Sequence, residues 1–247
     1  MKNLNTAKKS VLGNMIIRQT MGGTRKEDMV RDRNELIERI KEECEKQDSK
    51  TTHKLDLTML NVSKVEDMSN LFSICYSYDL ESIDVSNWDV NNVKYMKRMF
   101  YRCNSLRSID VSNWNVGNVE NMYGMFEDCV FLKTIDVSKW NVSSVKSMKN
   151  MFYGCSSLES IDVSNWNVGN VEDMRGMFYE CNSLKSIDIS NWNMSNVKNM
   201  CYIFYRCNSL KTIDVSNWNV ANVEYMYGMF NGCNFDYKQE GNKLIRI

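Results

Sequence analysis

Six aspartates recur at a fixed spacing of 26 residues: Asp84, Asp110, Asp136, Asp162, Asp188 and Asp214. Each is flanked at i±2 by hydroxyls: Ser82 and Ser86, Ser108 and Ser112, Thr134 and Ser138, Ser160 and Ser164, Ser186 and Ser190, Thr212 and Ser216. Residues i and i+2 of a strand share a face, so stacked copies would set a carboxylate file between two hydroxyl files. Unit charges at the strand spacing of about 4.8 Å repel by about 0.8 kcal/mol even in bulk water. Something must compensate. The candidates are nearby Ser, Thr, Asn or Trp donors, a bound cation, or a basic peptide laid along the file. The chain holds no EF-hand and no calcium-binding nonapeptide, so a calcium site is not predicted.

Other reactive types are poorly arranged for catalysis. His53 is the only histidine, so a Ser-His-Asp triad or a histidine metal cluster would have to be built on it. There is no G-x-x-x-x-G-K-[ST] loop and no G-x-G-x-x-G after a strand. Seven of the nine cysteines, Cys75, Cys103, Cys129, Cys155, Cys181, Cys207 and Cys233, share one register. That spacing lacks the paired C-x-x-C form of zinc sites, and parallel stacked side chains suit a disulfide poorly. They are expected as buried free thiols. The sequence therefore predicts no catalytic residues, no metal and no cofactor.

The same spacing organises the apolar residues. All six tryptophans, Trp88, Trp114, Trp140, Trp166, Trp192 and Trp218, lie on one register. They read as core, each indole N–H held by a backbone or Asn/Asp oxygen; the alternative is an exposed aromatic ladder for sugars or peptides. Leu106, Ile109 and Val111 follow L-x-x-I-x-V, the spacing of a leucine-rich-repeat strand. A polar turn SNWN comes next. Val119, Met122, Met125 and Phe126 then fall at helical spacing, with Asn118 as N-cap. A unit this short buries its apolar face only against neighbouring copies. The expected fold is an α/β solenoid, a leucine-rich-repeat-like right-handed coil of strand, turn and short helix, with a parallel sheet on one face. Its expected divisions are a disordered basic tail at 1–24, a helical N-terminal cap at 25–50, seven coils at 51–233, and a C-terminal cap at 234–247. In the N-terminal cap, Asp32 and Glu35 are spaced as a capping box and Leu36, Ile37, Ile40 and Cys44 form an apolar stripe. In the C-terminal cap, a last strand would bring Arg246 opposite Asp214.

Alternate copies resemble each other more closely than adjacent ones. The residue after the second valine of each unit runs Glu66, Lys94, Glu120, Lys146, Glu172, Lys198, Glu224. This sign alternation predicts a structural charge ladder in which each lysine stands between two glutamates. Exposed pairs of this kind contribute about 0.2–1 kcal/mol each. Gly124, Gly176 and Gly228 occur only in the Glu coils, so the chemically complete unit is a pair of repeats.

Basic and acidic residues balance at 31 each, which argues against a nucleic-acid partner. No apolar run approaches the roughly 20 residues that span a bilayer. The cluster VLGNMII at 11–17 is cut by Asn14, so the N-terminus does not read as a signal peptide and a cytoplasmic location is expected. The phrase D-[VI]-S-N-W-[ND]-V-x-N-V-x-x-M-x-x-M-F-x-x-C, as at 84–103 and 110–129, resembles the BspA-like leucine-rich-repeat proteins, and especially the mycoplasma-type repeat family of unknown function grouped with them. The resemblance covers about 55–233. It implies a solenoid, a cell-surface or secreted setting and, in some members, adhesion to host matrix proteins. The expected function is a non-catalytic, adhesin-like scaffold that binds a protein partner. The alternative is a cation-dependent module built on the aspartate column.

Overall fold

A 26-residue unit that carries Leu, Ile, Val, Trp, Met and Phe cannot enclose them by itself. Each unit instead lies against the next. The computed structural model describes residues 29–47, 53–73, 78–235, 237–240 and 243–246. The tail expected at 1–24 and Cys75 lie outside these residues.

The cap comes first. Helix α1 (Arg33–Gln47) begins where Asp32 Oδ1 accepts the N–H groups of Asn34 and Glu35, at 2.9 and 3.0 Å. The capping box is only half formed. Glu35 turns its carboxylate to the backbone N–H and guanidinium of Arg31 rather than to Asp32. Leu36, Ile40 and Cys44 are fully buried and Ile37 is half-buried. Val30 N–H bonds to Asn61 O at 2.8 Å, which seats the cap on the first repeat.

On one side of the stack, β1 (Lys54–Asp56), β2 (Ser82–Asp84) and β3 (Ser108–Ile109) form a parallel sheet in that order. Asp56 stands opposite Asp84, and Ile83 opposite Ile109. Farther along, this side continues as a single bridge, Thr134 to Ser160, and as amide bonds such as Glu159 to Lys133.

The short helices expected on the opposite side are not formed. α1 is the one α-helix among the described residues, and the Met-rich segments are runs of tight turns. Met125 N–H bonds to Met122 O, Glu127 to Gly124, and Cys129 to Phe126. The alternate amides of Met122, Gly124, Phe126 and Asp128 donate to the next repeat, at Ser147, Lys149, Met151 and Tyr153. These amides are thereby withdrawn from any i→i−4 helical ladder. Two left-handed residues per repeat, four apart, enforce the change: first Arg98 (φ 53), Gly124 (φ 59), Asn150 (φ 55), Gly176 (φ 60), Tyr202 (φ 58) and Gly228 (φ 65), then Arg102, Asp128, Gly154, Glu180, Arg206 and Gly232. Parallel bridges link Asp67, Tyr95, Asn121, Ser147, Asp173, Asn199 and Tyr225 in an unbroken series. Asn118 is not an N-cap either. Its side-chain amide donates to Asn91 O of the preceding repeat, as Asn170 does to Ser143 and Asn196 to Gly169.

Between the two sides lie files of aromatic rings. Phe72, Phe100, Phe126, Phe152, Phe178, Phe204 and Phe230 stack with centroids 4.8–5.8 Å apart. Trp88, Trp114, Trp140 and Trp166 stack at 6.3–6.5 Å with rings within 3° of parallel. All six tryptophans are buried, and each indole N–H donates to a backbone carbonyl of the preceding repeat. At the far end Phe235 packs on Phe230. Beyond it, β4 (Tyr237–Glu240) and β5 (Lys243–Arg246) pair as an antiparallel hairpin. Arg246 therefore stands opposite Tyr237, not Asp214: the last strand finds its partner locally, in the strand separated from it by two residues, rather than on the sheet. No helix among the described residues is long and apolar enough to cross a membrane.

Candidate functional site

Three exposed surfaces follow from this stacking. The first holds the aspartate column, Asp84 to Asp214. In every member Oδ1 accepts both the amide and the hydroxyl of the serine two residues on, as at Asp136, where Ser138 N and Oγ lie at 3.1 and 2.7 Å. Asp84, Asp110, Asp162, Asp188 and Asp214 repeat this geometry. The compensation for like charges is therefore local. The serine hydroxyl, then its amide, hold Asp136, Asp188 and Asp214 below the ordinary carboxylate range. A shallow depression of about 470 Å³ runs along Asp84, Asp110 and Asp136. Among the described residues no three His, Cys, Asp or Glu side chains come together to hold a metal ion.

The second surface holds the charge ladder. Consecutive members are joined through their backbones, Glu120 N–H to Lys94 O at 2.9 Å and Lys146 N–H to Glu120 O at 2.9 Å. The side chains choose unequally. Lys94 pairs with Glu66 at 2.9 Å, Lys146 with Glu120 at 3.1 Å, and Lys198 with Glu172 at 2.9 Å. Each lysine thus closes on the glutamate before it, and the one after it acts only at longer range. Lys198 holds Glu172 below its ordinary value and is itself raised in return. A second ionic file escaped the sequence reading: Glu81 with Arg107 at 3.3 Å and Glu159 with Lys185 at 2.6 Å.

The third surface was also missed, and it lies on the turn side. Here equivalent positions carry different residues. One register runs Lys97, Tyr123, Lys149, Arg175, Cys201, Tyr227, and another runs Tyr101, Glu127, Tyr153, Tyr179, Tyr205, Asn231. Tyr153, Tyr179 and Tyr205 stack at 4.4 and 4.7 Å. Tyr202 meets Tyr205 and Tyr227 edge to face, at 5.5 and 5.0 Å. Together with Tyr123, Lys149 and Arg175, Tyr153, Tyr179, Tyr202 and Tyr205 border a cavity of about 630 Å³. Burial pushes Tyr153 up to about 12 and raises Tyr179. At the other end the Arg98 guanidinium lies between the Tyr101 and Tyr123 rings, at 4.7 and 4.8 Å, and pairs with Glu127 at 3.3 Å. The lone sequence signal for this surface was the glycine alternation. Left-handed backbone alone does not demand glycine here, because Arg98, Asn150 and Tyr202 adopt it too. Space does. A Cβ on Gly176 would come 2.6 Å from Asn150 Oδ1, and one on Gly228 would enter the Tyr202 ring. The large residue of each Lys repeat folds over the glycine of the following Glu repeat.

The remaining candidates are quiet. Cys129, Cys155, Cys181, Cys207 and Cys233 are free thiols that donate to phenylalanine carbonyls of the preceding repeat, at 3.1–3.2 Å. Burial pushes Cys103 up to about 12 and Cys233 to about 11. His53 is exposed before β1, its carbonyl accepting the amide of Glu81. The profile of a family described as Mycoplasma protein of unknown function, DUF285, matches residues 42–160 and 129–243. No curated protein matches the chain.

Proposed function

We propose that this chain, which belongs to the Mycoplasma family of proteins of unknown function, DUF285, is a non-catalytic protein-binding scaffold built as a leucine-rich-repeat-like solenoid. The solenoid reading is supported by parallel bridges that join equivalent residues from Asp67 to Tyr225. The binding reading rests on one observation. Backbone and core groups are used up in joining repeat to repeat, while whole files of exposed side chains are held in register along the stack. Such a surface suits an extended or broad partner, because affinity comes from many aligned contacts rather than one pocket. Chemistry at a single point is disfavoured by the same geometry, since burial raises the Cys155 and Cys181 thiols and each aspartate is engaged by its own serine. The resemblance of the repeat phrase to BspA-like proteins extends this reading to an adhesin-like role at a cell surface.

The test is partner capture with the intact chain, followed by titration of the purified partner. Saturable binding that charge reversal on one exposed file abolishes, with the melting temperature unchanged, is the expected result. A chain for which no saturable partner emerges, or whose binding survives reversal on all three surfaces, is not a scaffold of this kind.

A further inference from the structure

Charge on the turn side is arranged differently from the ladder, and there cations without an ion pair stand beside a cavity lined by tyrosines, which points to a ligand. Each ladder lysine meets an acid of the preceding repeat, and along the sheet flank Arg107 and Lys185 do the same, while Lys133 and Lys211 form no ion pair among the described residues. Arg98, Arg102 and Arg206 are likewise paired, with Glu127, Asp128 and Glu180. Lys97, Lys149 and Arg175 are not: among the described residues none of them forms an ion pair, although all three stand on one register. Lys97 and Lys149 both rest over the ring of Tyr123, at 5.3 and 5.4 Å. The backbones of this register are neighbours in space, since Arg98, Gly124, Asn150, Gly176 and Tyr202 donate in turn to Tyr123, Lys149, Arg175, Cys201 and Tyr227. Lys149 and Arg175 are therefore adjacent like charges with no acid between them. Left without a partner, such a pair is repulsive.

Beyond Arg175 the same register turns aromatic. Tyr227 is 58% exposed, and Tyr202 and Tyr205 wall the cavity beside it. The surface thus has a cationic end and an aromatic end. From Lys97 to Tyr227 is five repeat steps, about 24 Å at the usual strand spacing, which an extended chain of about seven residues spans.

We propose that the Lys97, Lys149 and Arg175 file with the Tyr202, Tyr205 and Tyr227 wall binds an extended acidic peptide segment that ends in an aromatic or large apolar side chain. Carboxylates of the segment neutralise the unpaired cations, and its apolar side chain covers the tyrosines. A sulfated polysaccharide would satisfy the cations, but its densely charged rings offer the tyrosines less apolar surface than a Phe or Leu side chain does. The chain's own first 26 residues carry six basic and no acidic residues, so they do not supply such a segment. This assignment rests on the scaffold reading and adds the face and the class of partner.

The experiment is fluorescence anisotropy with a short peptide in which a run of glutamates is followed by phenylalanine and leucine. Parallel arms use the same peptide with serines in place of the two apolar residues, and heparin. Saturable binding of the first peptide is expected, weakening as salt rises. The Lys149→Glu, Arg175→Glu double variant should weaken it at least about tenfold, and Tyr227→Ala should weaken it for the first peptide but not for the serine peptide. Lys211→Glu, on the sheet flank, should change nothing. Unaltered melting curves show that each variant is folded. If the first peptide fails to bind, or binds equally to the double variant, the assignment is wrong. If heparin binds and the peptide does not, the file is a polysaccharide site and the proposal falls. Either failure leaves the scaffold reading to be judged by the captured partner, which can bind elsewhere.

Discussion

Compare the file that runs from Asp84 to Asp214 with the file that runs from Lys97 to Tyr227. The first repeats one residue type six times, and each copy is satisfied by its own serine. The second changes residue at almost every step and leaves three cations unpaired. The variable file lies on the side with the unbroken series of coil-to-coil backbone bonds, while the aspartate side keeps a ladder only at β1–β3 and isolated bonds beyond, so the variation is not a matter of weaker support. Where every repeat is the same, the side chain serves the repeat itself, here by closing an Asp–Ser turn. Where repeats differ against a constant backbone, the side chains are released from that duty and can serve a partner. The cavity bordered by Tyr153, Tyr179 and Tyr205 falls on the variable side.

The largest effects should come from the core, which supports both sides. Trp140 hangs from Val111 O toward the sheet side, and Phe152 stacks between Phe126 and Phe178 toward the turn side. Both are buried. Truncating either to alanine should cost about 3–5 kcal/mol, read by chemical denaturation. Should the Phe152 variant lose far less than the Trp140 variant, the turn side is not as firmly held as the sheet side, and the comparison fails at its premise.

Next come the glycines, which separate the two sides directly. Gly228→Ala places a methyl in the Tyr202 ring at a left-handed position and should cost about 1–3 kcal/mol. In a Tyr202→Ala background the same change should cost about 1 kcal/mol less. Gly169→Ala, with ordinary φ and a nearest neighbour at 3.2 Å, should cost well under about 1 kcal/mol. An unchanged cost of Gly228→Ala in the Tyr202→Ala background would mean that backbone strain, and not the overlying side chain, explains the alternation.

A smaller effect is expected on the ladder. Lys198 depresses Glu172, so the stability from that carboxylate is present above the ordinary glutamate value of about 4.3 and is lost as pH falls through the depressed one. Glu172 raises Lys198, so the lysine's share is present below about 10.4 and is lost as pH rises through the raised value. Between those limits Glu172→Gln should melt slightly below the unaltered protein. The two curves should converge at acid pH and in high salt. A difference that persists at acid pH would show that Glu172 acts through packing.

The vertical order was legible in the sequence because a strict period forces equivalent residues into register: the Trp, Cys, Asp and Glu/Lys files all follow from it. The local geometry of the turn side was not. Val119, Met122 and Phe126 fall three and four apart, which overlapping tight turns reproduce as well as a helix does. The left-handed positions that decide between them are hidden, because residues such as Arg98, Asn150, Tyr202 and Asp128 occupy them as readily as glycine. The choice of Glu66 over Glu120 by Lys94 depends on side-chain torsions that no spacing encodes. The tyrosine cavity was invisible for a related reason. It is assembled from registers whose members differ, so a search for recurrence passes over it.

The smallest effect is the one that tests the constant side most sharply. Asp136→Asn keeps the Oδ1 that accepts Ser138 N and Oγ while it removes one charge from the column. If each aspartate is there for its own turn, the variant should lie within about 0.5 kcal/mol of the unaltered protein, and near neutral pH the relief of repulsion from Asp110 and Asp162 should offset the weaker acceptor. Calcium or a chelator should move neither midpoint. A large loss on Asp136→Asn, or a calcium shift that the variant abolishes, would mean that the charge itself is used. The aspartate file, not the tyrosine wall, would then be the place to look for a ligand.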